Sequence, residues 1–200
     1  MSFKIIIPAR YASSRLPGKP LLDIAGKPMI QHVYDRAIES KATEVIIATD
    51  DNRIEKIAKS FGAKVCMTKR DHPSGTDRLA EVASLYHFNA NDIIVNLQGD
   101  EPCLPAQLIN QVAADLAQHS KADIATLYSQ ITQVKQVFNP NVVKVLLDID
   151  GYALYFSRAP IPWIRDHFDK KSIPEIDLPH YRHIGLYAYR ASFLTHYAEL

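Results

Sequence analysis

The sequence predicts an α/β protein with a mainly parallel sheet covered by helices on both faces. Three observations carry that prediction. Short runs such as Ile5-Ile6-Ile7, Val45-Ile46-Ile47 and Ile93-Ile94-Val95 are apolar without alternation, the pattern of strands buried on both sides. The segments between them repeat apolar residues at helical spacing, and cap or turn residues stand at the junctions. Strand and helix alternate through the first two-thirds of the chain, which favours crossover connections and parallel pairing.

The elements follow in order. Phe3 to Ile7 reads as a buried strand ended by Pro8. From Pro28, which suits a first helical turn, Ile30, Val33, Tyr34, Ala37 and Ile38 share a helix face. Val45 to Ala48 is the next strand. Asp50 or Asp51 caps a helix carrying Ile54, Ile57, Ala58 and Phe61, and Gly62 stops it. A short strand spans Lys64 to Met67. Leu79, Val82, Ala83 and Tyr86 mark a helix over 77–86, and 93–97 is a strand. Pro105 opens a helix with Leu108, Ile109, Val112 and Leu116, and 124–128 is a strand.

After about Asn139 the rhythm changes. Residues 142–147 and 153–156 read as a hairpin around Asp148-Ile149-Asp150-Gly151. A proline-rich, charged stretch covers 158–179, then a strand over 183–189 and a helix over 191–200. The expected division is a core over 1–138 and a smaller β-containing lobe over 139–200 of the same domain.

Composition excludes several classes of function. With 200 residues, 47% apolar and 22% charged, the chain is ordinary globular material, and its net charge of +1 leaves no whole-chain signature for nucleic acid or a membrane surface. Cys66 and Cys103 stand far apart without a CxxC, against a zinc ribbon or redox dithiol, and are expected as reduced thiols. The N-terminal apolar run is too short for a signal peptide, and no run approaches the roughly 20 residues of a membrane span. None of the seven glycines forms GxG, which removes GxGxxG and GxSxG; a Walker A loop is missing as well.

Ligands of doubly wound sheets bind beyond the carboxyl ends of the strands. After the first strand come Pro8-Ala9-Arg10-Tyr11-Ala12-Ser13-Ser14-Arg15-Leu16-Pro17-Gly18-Lys19, with three cations, two serines and no acid before Asp23. That is either a polyphosphate cradle or a solvated basic loop. After the 93–97 strand comes Gln98-Gly99-Asp100-Glu101-Pro102. Asp100 is either a capping acid or a Mg²⁺ ligand; beside the basic loop, the metal reading is favoured. Ser74-Gly75-Thr76-Asp77-Arg78 caps a helix and also offers Ser74 and Arg78 to a base or phosphate. Arg158 and Arg165, near Pro160 and Pro162, suit an anionic group. Trp163 reads as a packing residue. His180 and His183, an odd separation apart in a strand, face opposite ways and do not share a metal.

These motifs resemble, in order, those of the 3-deoxy-manno-octulosonate (Kdo) cytidylyltransferases. The resembling runs are 7–21, 48–51, 74–78, Leu97-Gln-Gly-Asp-Glu-Pro102, 143–145, Tyr155-Phe-Ser-Arg-Ala-Pro-Ile-Pro-Trp163 and His183-Ile-Gly-Leu-Tyr-Ala-Tyr-Arg190, covering essentially the whole chain. The resemblance implies a three-layer, Rossmann-like fold of the nucleotide-diphospho-sugar transferase type. It implies a cytoplasmic homodimer that converts CTP and Kdo to CMP-Kdo and diphosphate with Mg²⁺, for lipopolysaccharide biosynthesis. Residues 1–138 would then bind CTP, and 139–200 would bind the sugar and dimerise.

By the same resemblance Lys19, Arg15 and Asp100 are catalytic, and Asp100 holds the metal. Ala9, Arg10, Ser13, Arg15, Lys19, Ser74 and Arg78 bind the nucleotide. Gln98, Arg158, Arg165, His183 and Tyr187 bind the sugar. No general base is evident. The family pattern also runs past a residue like Leu200, with a second metal-binding aspartate and a closing helix there, so the chain is expected to be a truncated form. The alternatives are a CMP-sialic acid synthetase or other sugar nucleotidyltransferase, and a non-catalytic CTP-binding module. The Arg-Leu-Pro-Gly-Lys loop and the Ser-Arg-Ala-Pro-Ile-Pro run disfavour the first; intact Arg15, Lys19 and Asp100 disfavour the second.

Overall fold

A computed structural model describes residues 2–12, 16–165, 168 and 178–197. The elements run β1 (Phe3–Ala9), a 3-10 turn (Lys19–Leu21), β2 (Asp23–Ile24), β3 (Lys27–Pro28), α1 (Met29–Ile38), β4 (Glu44–Thr49), α2 (Asn52–Ser60), β5 (Lys64–Met67) and α3 (Gly75–Leu85). They continue with β6 (Ile93–Asn96), α4 (Ala106–Gln118), β7 (Ile124–Gln130), α5 (Val134–Phe138), β8 (Lys144–Leu147), β9 (Ala153–Ser157), β10 (Tyr181–Arg190) and α6 (Ala191–Tyr197). The chain divides into two compact units, Met1–Ala125 with Leu186–Leu200, and Thr126–Gly185.

In the first unit the strand order β5-β4-β1-β6 is parallel throughout, as the unalternating apolar runs predict. The C-terminal half of β10 adds antiparallel to β6, pairing Tyr187 with Asn96 and Arg190 with Ile93. From β1 the chain moves outward to β4 and β5, then returns to β6 on the other side of β1. The order therefore reverses between β1 and β6, and a crevice at their carboxyl ends is the standard consequence.

Both sheet faces are covered. Ile6, Ile46, Ala48 and Ile94 pack with Leu79, Ala80, Val82 and Ala83 of α3 and with Ala191 and Leu194 of α6. By strand alternation Ile5 and Ile7 take the opposite face, where α1 and α4 bury Ile30, Val33, Ile109, Val112 and Leu116. Each such side chain contributes roughly 1.5–3 kcal/mol of burial. The helix starts follow from their caps. Asp51 accepts the Arg53 amide at the head of α2, and Ser74 and Asp77 form a reciprocal capping box on α3. Arg190 donates to the carbonyls of Leu116, His119 and Ala122, satisfying the frayed end of α4 with a cation.

In the second unit β8 and β9 form the predicted hairpin, with Lys144 opposite Ser157 and an irregularity between Leu146 and Leu147. The N-terminal half of β10 pairs with β8, and β7 pairs with β10. A small core gathers Ile131, Val137 and Phe168, with Val142 and Ile164 against it. Trp163, expected as a packing residue, meets Phe168 edge-on at 5.2 Å and stays half-exposed. The boundary between these compact units falls at 125/126, where the sequence suggested 138/139; β7 pairs with β10, as β8 of the hairpin does. The chain re-enters the first unit at 186, because the end of β10 pairs with β6. The predicted helix over 191–200 is described as far as Tyr197. Among the described residues no helix is long and apolar enough to cross a membrane.

Candidate active site

The carboxyl ends of β1 and β6 and the N-terminus of α3 enclose a cleft of about 290 Å³. Its walls are Pro8 and Arg10 after β1, Lys19 and Pro20 of the 3-10 turn, Met29, Pro73-Ser74-Gly75, and Gln98-Gly99-Asp100 after β6. Of the predicted residues, Arg10, Lys19, Ser74, Gln98 and Asp100 therefore share one cleft. Ala9, the last residue of β1, is buried beside them in sequence. Ser13 and Arg15 lie outside the described residues.

Backbone conformation explains how these groups converge. Gly99 is pressed against β1: a Cβ there would stand 2.8 Å from the Pro8 carbonyl oxygen, closer than real contacts allow. Only glycine lets the turn after β6 lie this close. Gly18, at φ 71°, donates its amide to the Tyr11 carbonyl at 2.9 Å, so the two ends of the basic loop meet just before Lys19.

Lys19 Nζ lies 2.7 Å from Asp100 Oδ2, with the two side chains 37% and 52% exposed. A pair this open contributes at most about 1 kcal/mol, so parting it to meet a ligand costs little. Arg10 Nη2 donates to the carbonyls of His72 and Ser74, the latter at 3.3 Å. The Ser74 hydroxyl is committed to the cap, donating to Asp77 at 2.5 Å; what Ser74 offers the cleft is the first turn of α3, whose amides and dipole favour an anion.

Arg78 does not line this cleft. It is fully buried, donates to the Thr68 hydroxyl and places Nη2 3.0 Å from Asp50 Oδ1. Burial lowers its proton affinity; Asp50 opposes this and the Arg10 charge adds to it. Its Nε lacks a hydrogen-bond partner among the described residues.

Tyr187 belongs to the first unit. It stacks on Tyr189 at 5.9 Å, and burial pushes its phenol up. Arg158, Arg165 and His183 belong to the second. Arg158 is exposed and donates to the Pro140 carbonyl at 2.8 Å, and Arg165 is exposed. The Thr126 hydroxyl donates to the Ile184 carbonyl, which leaves its oxygen to accept from His183 Nε2 at 2.9 Å; burial lowers the His183 pKa. His180 is occupied differently, its ring nitrogens facing the carbonyls of Leu178 and Pro162 at 3.0 and 2.8 Å.

Three features escaped the sequence reasoning. Met29 and Pro20 supply an apolar wall that no motif marked as ligand-facing. Glu81, on α3, accepts from Lys69 and His72. Lys144 is fully buried in the second unit, its ammonium held by the carbonyls of Asn139, Val142 and Arg158 at 3.1, 2.7 and 2.7 Å. Burial, then the Arg158 charge, lowers its pKa. A cation inside an apolar strand was the visible signal for Lys144.

Among the described residues no three His, Cys, Asp or Glu side chains cluster as a ready metal cage. Among the described residues that line the cleft, Asp100 is the carboxylate, and it is half-exposed. One carboxylate completed by phosphate oxygens and water is a donor set that suits Mg²⁺, so the residues present fit a metal that arrives with a nucleotide.

Comparison with known proteins gives the class. A profile of the cytidylyltransferase family matches residues 4–200, and the chain belongs to that family. More narrowly, it is 60% identical over 199 residues to the 3-deoxy-manno-octulosonate cytidylyltransferase of Hahella chejuensis, covering 98% of this chain and 77% of that protein. It is 57% identical over 202 residues to the protein of the same name in Nitrosococcus oceani, covering 100% and 78%. Among solved structures, CMP:2-keto-3-deoxy-manno-octonic acid synthetase complexed with CTP superposes with a TM-score of 0.88 at 44% identity, over 100% of this chain and 78% of that one. The fold expected from the resemblance agrees with that neighbour.

Proposed function

We infer that this chain is a nucleotidyltransferase that activates Kdo, converting CTP and 3-deoxy-D-manno-octulosonate to CMP-Kdo and diphosphate. The observation that carries this is the cleft at the reversal of strand order, where Arg10, Lys19, Asp100 and the start of α3 converge on one anion-sized space. The names of the relatives supply the nucleotide and the sugar.

In the reaction the anomeric hydroxyl of Kdo attacks the α-phosphorus of CTP. The new oxygen–phosphorus bond forms as the bond to the β-phosphate oxygen breaks, diphosphate departs in line, and the hydroxyl proton leaves to solvent or diphosphate. Such chemistry asks the protein chiefly for positioning and charge stabilisation. Lys19 and Arg10 hold the phosphates, the first-turn amides of α3 add partial positive charge, and the glycine turn lets the backbone of 98–100 approach. Arg15 and Ser13 join them by the family resemblance. Asp100 would hold Mg²⁺, which when bound neutralises charge on the phosphate oxygens. Gln98, Tyr187, Arg158, Arg165 and His183 are assigned to the sugar, with an arginine for its carboxylate.

The setting follows from the same reading. Cys66 and Cys103 are free thiols, which suits the cytoplasm. A homodimer is supported by β9, where Leu154, Tyr155 and Phe156 are 65%, 61% and 41% exposed. The product would feed lipopolysaccharide assembly. The test is diphosphate release by the purified protein with Mg²⁺: it should require CTP and Kdo together. Release with CTP alone, or none with both, would oppose the assignment.

A further inference from the structure

Pro73 and Ser74, which line one wall of the cleft, end the irregular segment from Thr68 to Ser74 between β5 and α3. Glu81, six residues into α3, tethers it. A single oxygen, Glu81 Oε2, accepts the Lys69 amide at 2.9 Å and the His72 Nε2–H. Both side chains are largely shielded, His72 at 14% exposure and Glu81 at 18%. The segment so held turns two carbonyls toward Arg10, those of His72 and Ser74, and the Arg10 guanidinium donates to both. A continuous path therefore runs from Glu81 through the segment backbone to a cation in the cleft. Each end of the segment has its own anchor, Thr68 on the Thr49 carbonyl and Ser74 on the Asp77 cap, which leaves Glu81 to fix the middle.

We propose that Glu81 is a positioning residue for the nucleotide: by fixing Lys69 and His72 it sets the His72 carbonyl, which with that of Ser74 aims Arg10 into the cleft. The inference rests on the reading of this cleft as the CTP site. The chemistry suits a carboxylate, since both partners are N–H donors and a carboxylate only accepts. A glutamine keeps an acceptor oxygen for Lys69 and loses only the charge; an alanine loses both bonds. Among the described residues Glu81 is not one of the cleft's walls, so it acts through the segment that it holds and the Arg10 that this segment aims.

The test is a double-mutant cycle read by calorimetric CTP–Mg²⁺ binding, with KM for Kdo measured at saturating CTP. Glu81→Ala should weaken CTP binding by about tenfold, as loss of charge-assisted hydrogen bonds implies. KM for Kdo should stay unchanged, and Glu81→Gln should recover most of the affinity. In an Arg10→Ala background, Glu81→Ala should add less than about twofold, because the path has already been cut. Equal weakening in both backgrounds, or a lowered melting temperature with unchanged CTP affinity, would overturn the proposal. Should Glu81→Ala fail to fold, His72→Ala keeps the carbonyl, removes the side-chain half of the tether and gives the same cycle with a smaller loss. Wild-type protein that binds no CTP would sink the functional assignment; CTP binding indifferent to Glu81 sinks only this proposal.

Discussion

Single residues carry the sharpest consequences. At Gly99 a methyl group would meet the Pro8 carbonyl at 2.8 Å, so Gly99→Ala must push the 98–100 turn off β1. That should cost about 1–3 kcal/mol in urea unfolding, together with most of the turnover, because Asp100 moves with the turn. Asp100→Asn is the complementary change: it should leave the unfolding midpoint close to wild type and abolish Mg²⁺-dependent turnover. Retained turnover would remove Asp100 from the metal site. Lys144 acts through stability. Lys144→Met leaves three part-buried carbonyls without their donor and should cost roughly 1–3 kcal/mol in urea unfolding. A loss below about 1 kcal/mol would mean that water replaces the ammonium. The sequence showed Gly99 and Asp100 as a pair worth attention. It could not show that a carbonyl 91 residues earlier (99 − 8) closes on the glycine, since that contact exists only once β1 and β6 pair.

At the scale of elements, helix starts were the most legible feature. Ser74 caps as the sequence indicates, and of the two acids it offered for α2 Asp51 is the cap, because capping is chemistry between near neighbours. Asp51 also makes stability depend on pH. Hydrogen bonds from the Arg53 side chain hold its carboxyl below the usual carboxylate range, with burial pulling the other way. Its folded pKa is thus depressed. The stabilisation is present above the unfolded value, near pH 4, and is lost as pH falls through the folded value. Asp51→Asn keeps a cap and removes the titration, so its unfolding free energy should fall less steeply than wild type between about pH 5 and pH 3. Parallel curves would exclude Asp51 as a source of acid sensitivity. The minor elements β2, β3 and α5 were not legible, being too short for any period to register. Arg78 was legible as a charged residue at a helix start. Its burial against Asp50 and Thr68 depends on β4, β5 and α3 meeting, which local sequence does not encode.

For the whole molecule, the parallel order of the first unit could be anticipated from apolar runs alone. The reversal between β1 and β6 could not, since strand order is a long-range property, and that reversal is what places the cleft. The exposed row on β9 also belongs to this scale. Sedimentation should give a dimer, and a Leu154→Glu, Tyr155→Lys double variant should shift it toward monomer with its far-ultraviolet spectrum unchanged; a wild-type monomer would refute the proposed homodimer. The relatives are longer than this chain, which spans 77–79% of their length. The most direct test of the account is an acceptor competition. The protein, CTP and Mg²⁺ are given equal concentrations of Kdo and sialic acid, and the nucleotide sugars are identified by mass spectrometry. The account predicts CMP-Kdo with diphosphate in equal amount; CMP-sialic acid as the product, or CTP bound without turnover of either sugar, would contradict it.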